Sequence, residues 1–271
     1  MEVRQVTALY FSPAGTTARA ARTAGTALAE ALGVPFRELD VTLPRDREAS
    51  CAFDAADVVL AASPTYAGKL PNKILPFWKT RLSGDHTPAI PLVLYGNRAF
   101  DNALAELTAV LSGNGFACFA AAAFVSRHAF TDALAPGRPD GADRRELESF
   151  ARDAAEKLRR GDLTPVTVPG DPEAPYYIPR GMDGEPARFL KAKPRTDPLR
   201  CTRCGACARR CPMGAIDPGD VANVPGTCIK CQSCVRRCTR KAKSFDDPAF
   251  LSHVAMLERN FPDPKANLTF L

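Results

Sequence analysis

The chain has no apolar run approaching the roughly 20 residues that a membrane-crossing helix needs, so membrane insertion is not expected. Its start, Met-Glu-Val-Arg-Gln-Val-Thr-Ala-Leu-Tyr, lacks a signal peptide's basic start followed by an apolar stretch, which makes a cytoplasmic location the default expectation. Histidine is scarce: His86, His128 and His253 are scattered and belong to no nucleophile–base pattern. No glycine fingerprint for a dinucleotide appears, which argues against a nicotinamide cofactor. Cysteine is almost missing from the chain before Cys201. Only Cys51 and Cys118 precede it, without partners at ligand spacing, and they read as ordinary buried or half-buried thiols.

The other eight cysteines are crowded between Cys201 and Cys238. Without an export signal, such clustering reads as metal ligation rather than disulfides. The first run is Cys201-Thr-Arg-Cys204-Gly-Ala-Cys207-Ala-Arg-Arg-Cys211-Pro212. The second is Cys228-Ile-Lys-Cys231-Gln-Ser-Cys234-Val-Arg-Arg-Cys238-Thr239. Both have the spacing C-x2-C-x2-C-x3-C, and every cysteine of the second follows its counterpart at one constant offset, which marks an internal duplication. Three thiolates two residues apart wrap a tight turn around three corners of a cubane, and the fourth ligates the other cluster. One [4Fe–4S] cluster is therefore expected on Cys201, Cys204, Cys207 and Cys238, and a second on Cys228, Cys231, Cys234 and Cys211. Zinc sites pair two C-x2-C knuckles across a longer loop, and the third cysteine of each run has no role there.

This segment resembles a bacterial two-cluster ferredoxin. Two positions depart from that pattern: Thr239 stands where a proline commonly follows the fourth cysteine, and Lys243 aligns with Ile216 of the first half. A lysine in place of an apolar shield implies more solvent and more positive charge at one cluster, raising its potential relative to its twin.

Residues 1–160 alternate strand-like apolar runs with helical patterns, the signature of a parallel α/β sheet. Strands are expected at Val6–Phe11, Phe36–Leu39, Asp57–Ala62, Ile90–Tyr95 and Phe116–Val125, and helices at Thr16–Leu32, Asn72–Arg81, Asp101–Leu111 and Asp143–Arg159. Five strands so connected match a doubly wound, flavodoxin-like sheet of order 2-1-3-4-5. Prolines at 165, 169, 172, 175, 179, 186, 194 and 198 exclude regular structure between the two units. Residues 161–198 thus read as an extended linker packed along the first domain, which would cover Tyr176, Tyr177, Ile178 and Phe189. The cysteine unit spans 199–245 as a small α+β domain, and 246–271 supply a helix around Pro248–Asn260 and an apolar tail.

Three loops at the C-terminal ends of strands carry the first domain's candidate site, where such sheets bind ligands. Ser12-Pro-Ala-Gly15-Thr16-Thr17 offers hydroxyls, a tight turn and a helix start, an anion cradle, although Ser and Thr at a helix start also serve as plain caps. Ser63-Pro-Thr-Tyr66-Ala-Gly68 and Tyr95-Gly96-Asn97-Arg98-Ala-Phe100 each add an aromatic and glycines. Residues 1–160 resemble a flavodoxin-type FMN domain. That resemblance implies that Ser12, Gly15, Thr16 and Thr17 hold the FMN phosphate. It also implies that Pro64, Thr65, Tyr66 and Gly68 line one side of the flavin ring and Gly96, Asn97, Arg98 and Phe100 the other. Ala14 departs from the hydroxyl residue usual in the phosphate loop. His128, just after the fifth strand, reads as a surface or hydrogen-bonded histidine rather than one that approaches the flavin or the linker. The whole architecture resembles the flavodoxin–ferredoxin fusion proteins of anaerobes, the ferrodoxin family.

That resemblance implies electron transfer between FMN and two [4Fe–4S] clusters. Two alternatives stay open: a flavin enzyme reducing a small organic substrate with the clusters as feed, and a redox sensor acting through conformation. Residues 199–245 carry ten Lys/Arg against two Asp, a net +8, whereas residues 1–198 balance. The arginines sit within cluster turns and lack an aromatic platform, which argues against nucleic acid. Part of the charge offsets the clusters. A basic rim of Arg203, Arg209, Arg210, Arg236, Arg237, Arg240, Lys241 and Lys243 is expected to steer an acidic ferredoxin or flavodoxin.

Overall fold

The computed structural model describes residues 2–271. Alternation within the strands builds its main layer. In β1 (Gln5–Tyr10), Val6, Ala8 and Tyr10 point to one face and Leu9 to the other. Helix α1 (Thr16–Leu32) follows, rich in alanines whose small side chains let it lie close on the first face. Next come β2 (Phe36–Asp40), the short β3 (Cys51–Phe53) and β4 (Asp57–Pro64), buried on both faces. Helix α2 (Leu75–Thr80), β5 (Leu82–Gly84), β6 (Thr87–Tyr95) and α3 (Ala103–Gly113) build the second face. Then β7 (Phe116–Cys118) and β8 (Ala121–Val125) precede α4 (Gly141–Arg159), which packs beside α1.

The long parallel strands run β2-β1-β4-β6-β8, the 2-1-3-4-5 order expected from the sequence. Three local features differ from expectation. The fifth strand is divided: between Ala89↔Cys118 and Leu92↔Ala122 the register slips by one position, so Phe119 and Ala120 form a bulge. The slip falls opposite Pro91, which has no N–H to offer the ladder. The helix expected over 72–81 shortens to α2, because Pro76 near its start disfavours helical backbone in the residues before it. A further strand joins from the far end of the chain, as described below.

The proline-rich segment is extended and bound at intervals. Val166 N–H donates to Cys118 O (3.0 Å), and Tyr177 N–H donates to Ala67 O (2.8 Å). Lys69, buried in an ion pair with Glu106 (3.1 Å), donates to Pro172 O and Ala174 O. Phe189 is buried, whereas Ile178 stays exposed, contrary to its expected cover. Contrary to the expected lack of regular structure before residue 199, β9 (Arg195–Thr196) pairs antiparallel with β10 (Lys243–Ser244) of the cysteine unit, which also contains α5 (Ala206–Arg209) and α6 (Ser233–Arg236). Helix α7 (Pro248–Asn260), capped by Asp247, leads to β11 (Leu268–Phe270), which pairs antiparallel with β8. No helix among the described residues is long and apolar enough to cross a membrane.

Fully buried Asn97 holds that return. Its amide donates to Phe261 O (2.8 Å) and Asp263 O (3.0 Å) and accepts from Lys265 N–H (3.2 Å). Asn97→Ala would remove the three hydrogen bonds that tie the tail down and put alanine at a left-handed φ of 66°, and a loss of about 1–3 kcal/mol in unfolding free energy by urea titration is expected.

Candidate functional site

The duplicated cysteine runs fold as duplicates. Helix α6 follows α5 at the offset that relates the cysteines, and left-handed backbone recurs in the same register: Arg203 with Lys230, Gly205 with Gln232, Gly214 with Lys241. Four of these six are not glycine, so strained backbone is retained in both halves. N–H to sulfur bonds repeat too. Arg203 donates to Cys201 (3.4 Å) and Lys230 to Cys228 (3.4 Å); Ala215 donates to Cys211 (3.2 Å) and Ala242 to Cys238 (3.3 Å). Amides aimed at sulfur stabilise thiolate, the form that binds metal.

Cys211, Cys228, Cys231 and Cys234 line one small cavity of about 20 Å³, together with Met213, Ile216, Ile229 and Phe245 among others. The fourth cysteine of the first run thus meets the first three of the second. No three His, Cys, Asp or Glu side chains among the described residues converge tightly enough to share a single ion. Burial raises the thiols of Cys228 and Cys231 and pushes Cys234 up to about 12. Cys204 is exposed, and the Ala206 N–H, then the Thr202 hydroxyl, hold its thiol below the ordinary value. One end of the cysteine unit is open and the other is enclosed.

The enclosed end rests on the sheet's loops. Met213 and Ile229 pack against the second-face core. Burial, and then the thiols of Cys231 and Cys228, push the Tyr66 phenol well above its ordinary value. Arg47 donates to Pro212 O (2.7 Å). Arg236 donates to Ala129 O (2.9 Å) and His128 O (3.2 Å) and pairs with Asp132, and Arg237 donates to Pro13 O (3.1 Å). Arg236 and Arg237 were expected on a solvent rim. They instead fasten the two units, because backbone carbonyls of the facing loops lie within reach; Arg237 keeps part of its surface in solvent while doing so. Lys243 differs likewise: it is buried and donates to Val221 O, so it brings charge near Cys207 and Cys234 without the solvent expected there.

The three candidate loops lie together at the C-terminal edge of the sheet. In the first, Gly15 adopts φ +91°, a conformation costly for other residues, and Ser12 Oγ accepts from Ala18 N–H (2.8 Å). The N–H groups and hydroxyls of Thr16 and Thr17 have no partner among the described residues. In the second, Gly68 adopts φ +78°, and a Cβ there would meet Asp101 at 2.3 Å. Thr65 Oγ1 is buried without a hydrogen bond, and Tyr66 and Pro64 are half-buried. In the third, Gly96 leaves room for His128, Phe100 packs on Tyr95, and Arg98 pairs with Asp101 while lying over the Tyr177 ring (4.1 Å). Asn97, expected at the ligand, is committed to the C-terminal segment instead. Tyr177, Asp101 and Arg237 join this edge without having been singled out for it; the linker tyrosine gave a signal only as an apolar residue needing cover. An orphaned hydroxyl and open helix-start amides at this edge fit a phosphorylated ligand such as FMN, while the spaces beside Gly68 and Gly96 are filled by Asp101 and His128.

Residues 194–217 match a family described as the 4Fe-4S binding domain. No curated protein matches the chain. Among solved structures, the chain is similar to a flavodoxin from the domain Archaea, with 14% identity and a TM-score of 0.41, covering 57% of this chain and 99% of that one. It is also similar to rubredoxin oxygen:oxidoreductase from the anaerobe Desulfovibrio gigas, with 17% identity and a TM-score of 0.39, covering 60% of this chain and 38% of that one. A short-chain flavodoxin associated with a PDU bacterial microcompartment gives 16% identity and a TM-score of 0.39, covering 60% and 99%. The strand order and the matched cysteine segment together define a flavodoxin-like sheet joined to a ferredoxin-type 4Fe-4S unit.

Because Thr65 Oγ1 has no partner in the protein alone, Thr65→Val is expected to leave the stability of flavin-free protein within about 0.5 kcal/mol of wild type or to raise it, by thermal melting.

Proposed function

We propose that the protein transfers electrons between FMN, held by the loops after β1, β4 and β6, and two [4Fe–4S] clusters on the eight cysteines. The observation that carries this reading is the seating of the cysteine unit on those loops: Ile229, between Cys228 and Cys231, packs against the second-face core, and Arg237, beside Cys238, donates to Pro13 O of the first loop. When bound, FMN supplies one- or two-electron chemistry and each cluster one-electron chemistry. The chain's own part is positional. Met213 and Ile229 exclude water between the units, Arg47 and Arg236 fix their separation, and buried Lys243 adds positive charge near both cysteine sets.

The second cluster finds support in the repeated backbone geometry, and its crossed ligation in the shared cavity. Anaerobically purified protein is expected to contain about eight iron, eight sulfide and one non-covalent FMN per chain. A stoichiometric yield of FAD, or iron near half that value, would contradict the assignment. Cys211→Ser should disturb the cluster held by Cys228, Cys231 and Cys234; EPR at graded potentials that changed only the Cys201-Cys204-Cys207 cluster would overturn the crossed ligation.

The open end is the proposed port for an acidic redox partner. Arg203 and Arg209 are exposed there beside exposed Cys204, Arg240 and Lys241 are exposed on the same unit, and Leu199 is 96% exposed. Reduction by an acidic ferredoxin is expected to slow between low salt and about 0.15 M, where charges beyond roughly 8 Å are screened. Charge reversal at Arg203 and Arg240 should flatten this dependence with iron content unchanged; a salt-independent wild-type rate would remove the docking proposal.

A further inference from the structure

Arg237 closes α6 one residue before Cys238, yet its side chain leaves the cysteine unit. Besides the bond from Nε to Pro13 O, its Nη2 lies 3.0 Å from where a Cβ on Gly15 would stand. The guanidinium therefore covers the turn that opens α1. It forms no ion pair among the described residues. Arg210, Asp40 and Cys231 are the charged or ionisable neighbours within reach. Asp40 lies beyond ion-pair distance, and its Oδ1 already accepts from Thr42 N–H (2.9 Å).

The arrangement gathers positive charge. A helix start carries a partial positive charge, and a cation belongs at the opposite end of a helix. Here the long helix α1 points its first turn, with the Thr16 and Thr17 N–H groups open, at a guanidinium that has another arginine nearby. Thr17 is 1% exposed, and its hydroxyl has no partner. Such a set is unfavourable by itself and favourable around an anion. A planar guanidinium with unengaged nitrogens matches the oxygens of a phosphate.

We infer that Arg237, supplied by the cysteine unit, binds the phosphate of the flavin held by Ser12–Thr17. This rests on the FMN reading and extends it, since the phosphate site is then complete only when the two units are docked. The residue also sets specificity, because a flavin without a phosphate gains nothing from it. The link runs in both directions: Cys238, the next residue, is an expected cluster ligand, so whatever orders that turn also orders the phosphate contact.

The test compares flavin-free wild type, Arg237→Gln and Arg237→Lys, each with iron and sulfide content verified, by titration with FMN and with riboflavin followed by flavin fluorescence. Arg237→Gln is expected to weaken FMN binding about tenfold while riboflavin binding stays at the wild-type value, and Arg237→Lys to retain most of the FMN affinity. An equal loss for both flavins would mean that Arg237 only holds the units together, and unchanged FMN affinity would mean that it does not reach the phosphate; either overturns the inference. Wild type that takes up neither flavin overturns the FMN reading itself, a result visible before any substitution is made.

Discussion

The cysteine unit cannot build a core of its own, and the rest of the molecule is arranged around that deficit. Its buried cluster amounts to Ala215, Ile216, Val221 and Val224, with the cysteines themselves packed beside them. Segments this short fold through bound metal or by leaning on a larger neighbour. This one has both means available. Four of its cysteines line a cavity, and Met213 and Ile229 extend the core of the sheet domain. Linker and tail add a second attachment, an aromatic cluster of Phe130, Phe189, Phe245 and Phe250 with His253 between them.

That dependence explains the use of charge. A net +8 over residues 199–245 suggests a solvated basic surface, but three of its most prominent members are engaged with the protein's own carbonyls. Arg236 and Arg237 donate across the junction, and Lys243 is buried against Val221 O. Backbone carbonyls at loop ends are unsatisfied acceptors. Long cationic side chains serve there as fasteners without needing a carboxylate for each. Arg203 and Arg209 face solvent beside exposed Cys204, so the unit is polarised between a docking end and a fastening end.

The sheet domain was legible in the sequence because local pattern decides it. Apolar runs separated by helical periodicity marked out β1, β4, β6 and the extents of α1 and α7, and buried parallel strands need no further information. The repeated cysteine turns were legible for a related reason, since C-x2-C-x2-C-x3-C is itself a local geometry. Asn97 was misassigned because a polar residue in a binding loop and a polar residue anchoring a distant segment look alike in sequence. Only the return of residues 261–265 shows which it is. Arg237 carried no mark of its destination for the same reason.

The sequence by itself determined the repeated cysteine turns, the alternation of strands and helices and the irregular proline-rich connection, because each depends on residues within a few positions of one another. Tertiary structure decided which face of the cysteine unit is enclosed, where its arginines end, and that the chain's tail closes the sheet as β11. Those outcomes depend on carbonyls, apolar patches and an unpaired strand edge that meet across long sequence separations, and no local spacing encodes such meetings.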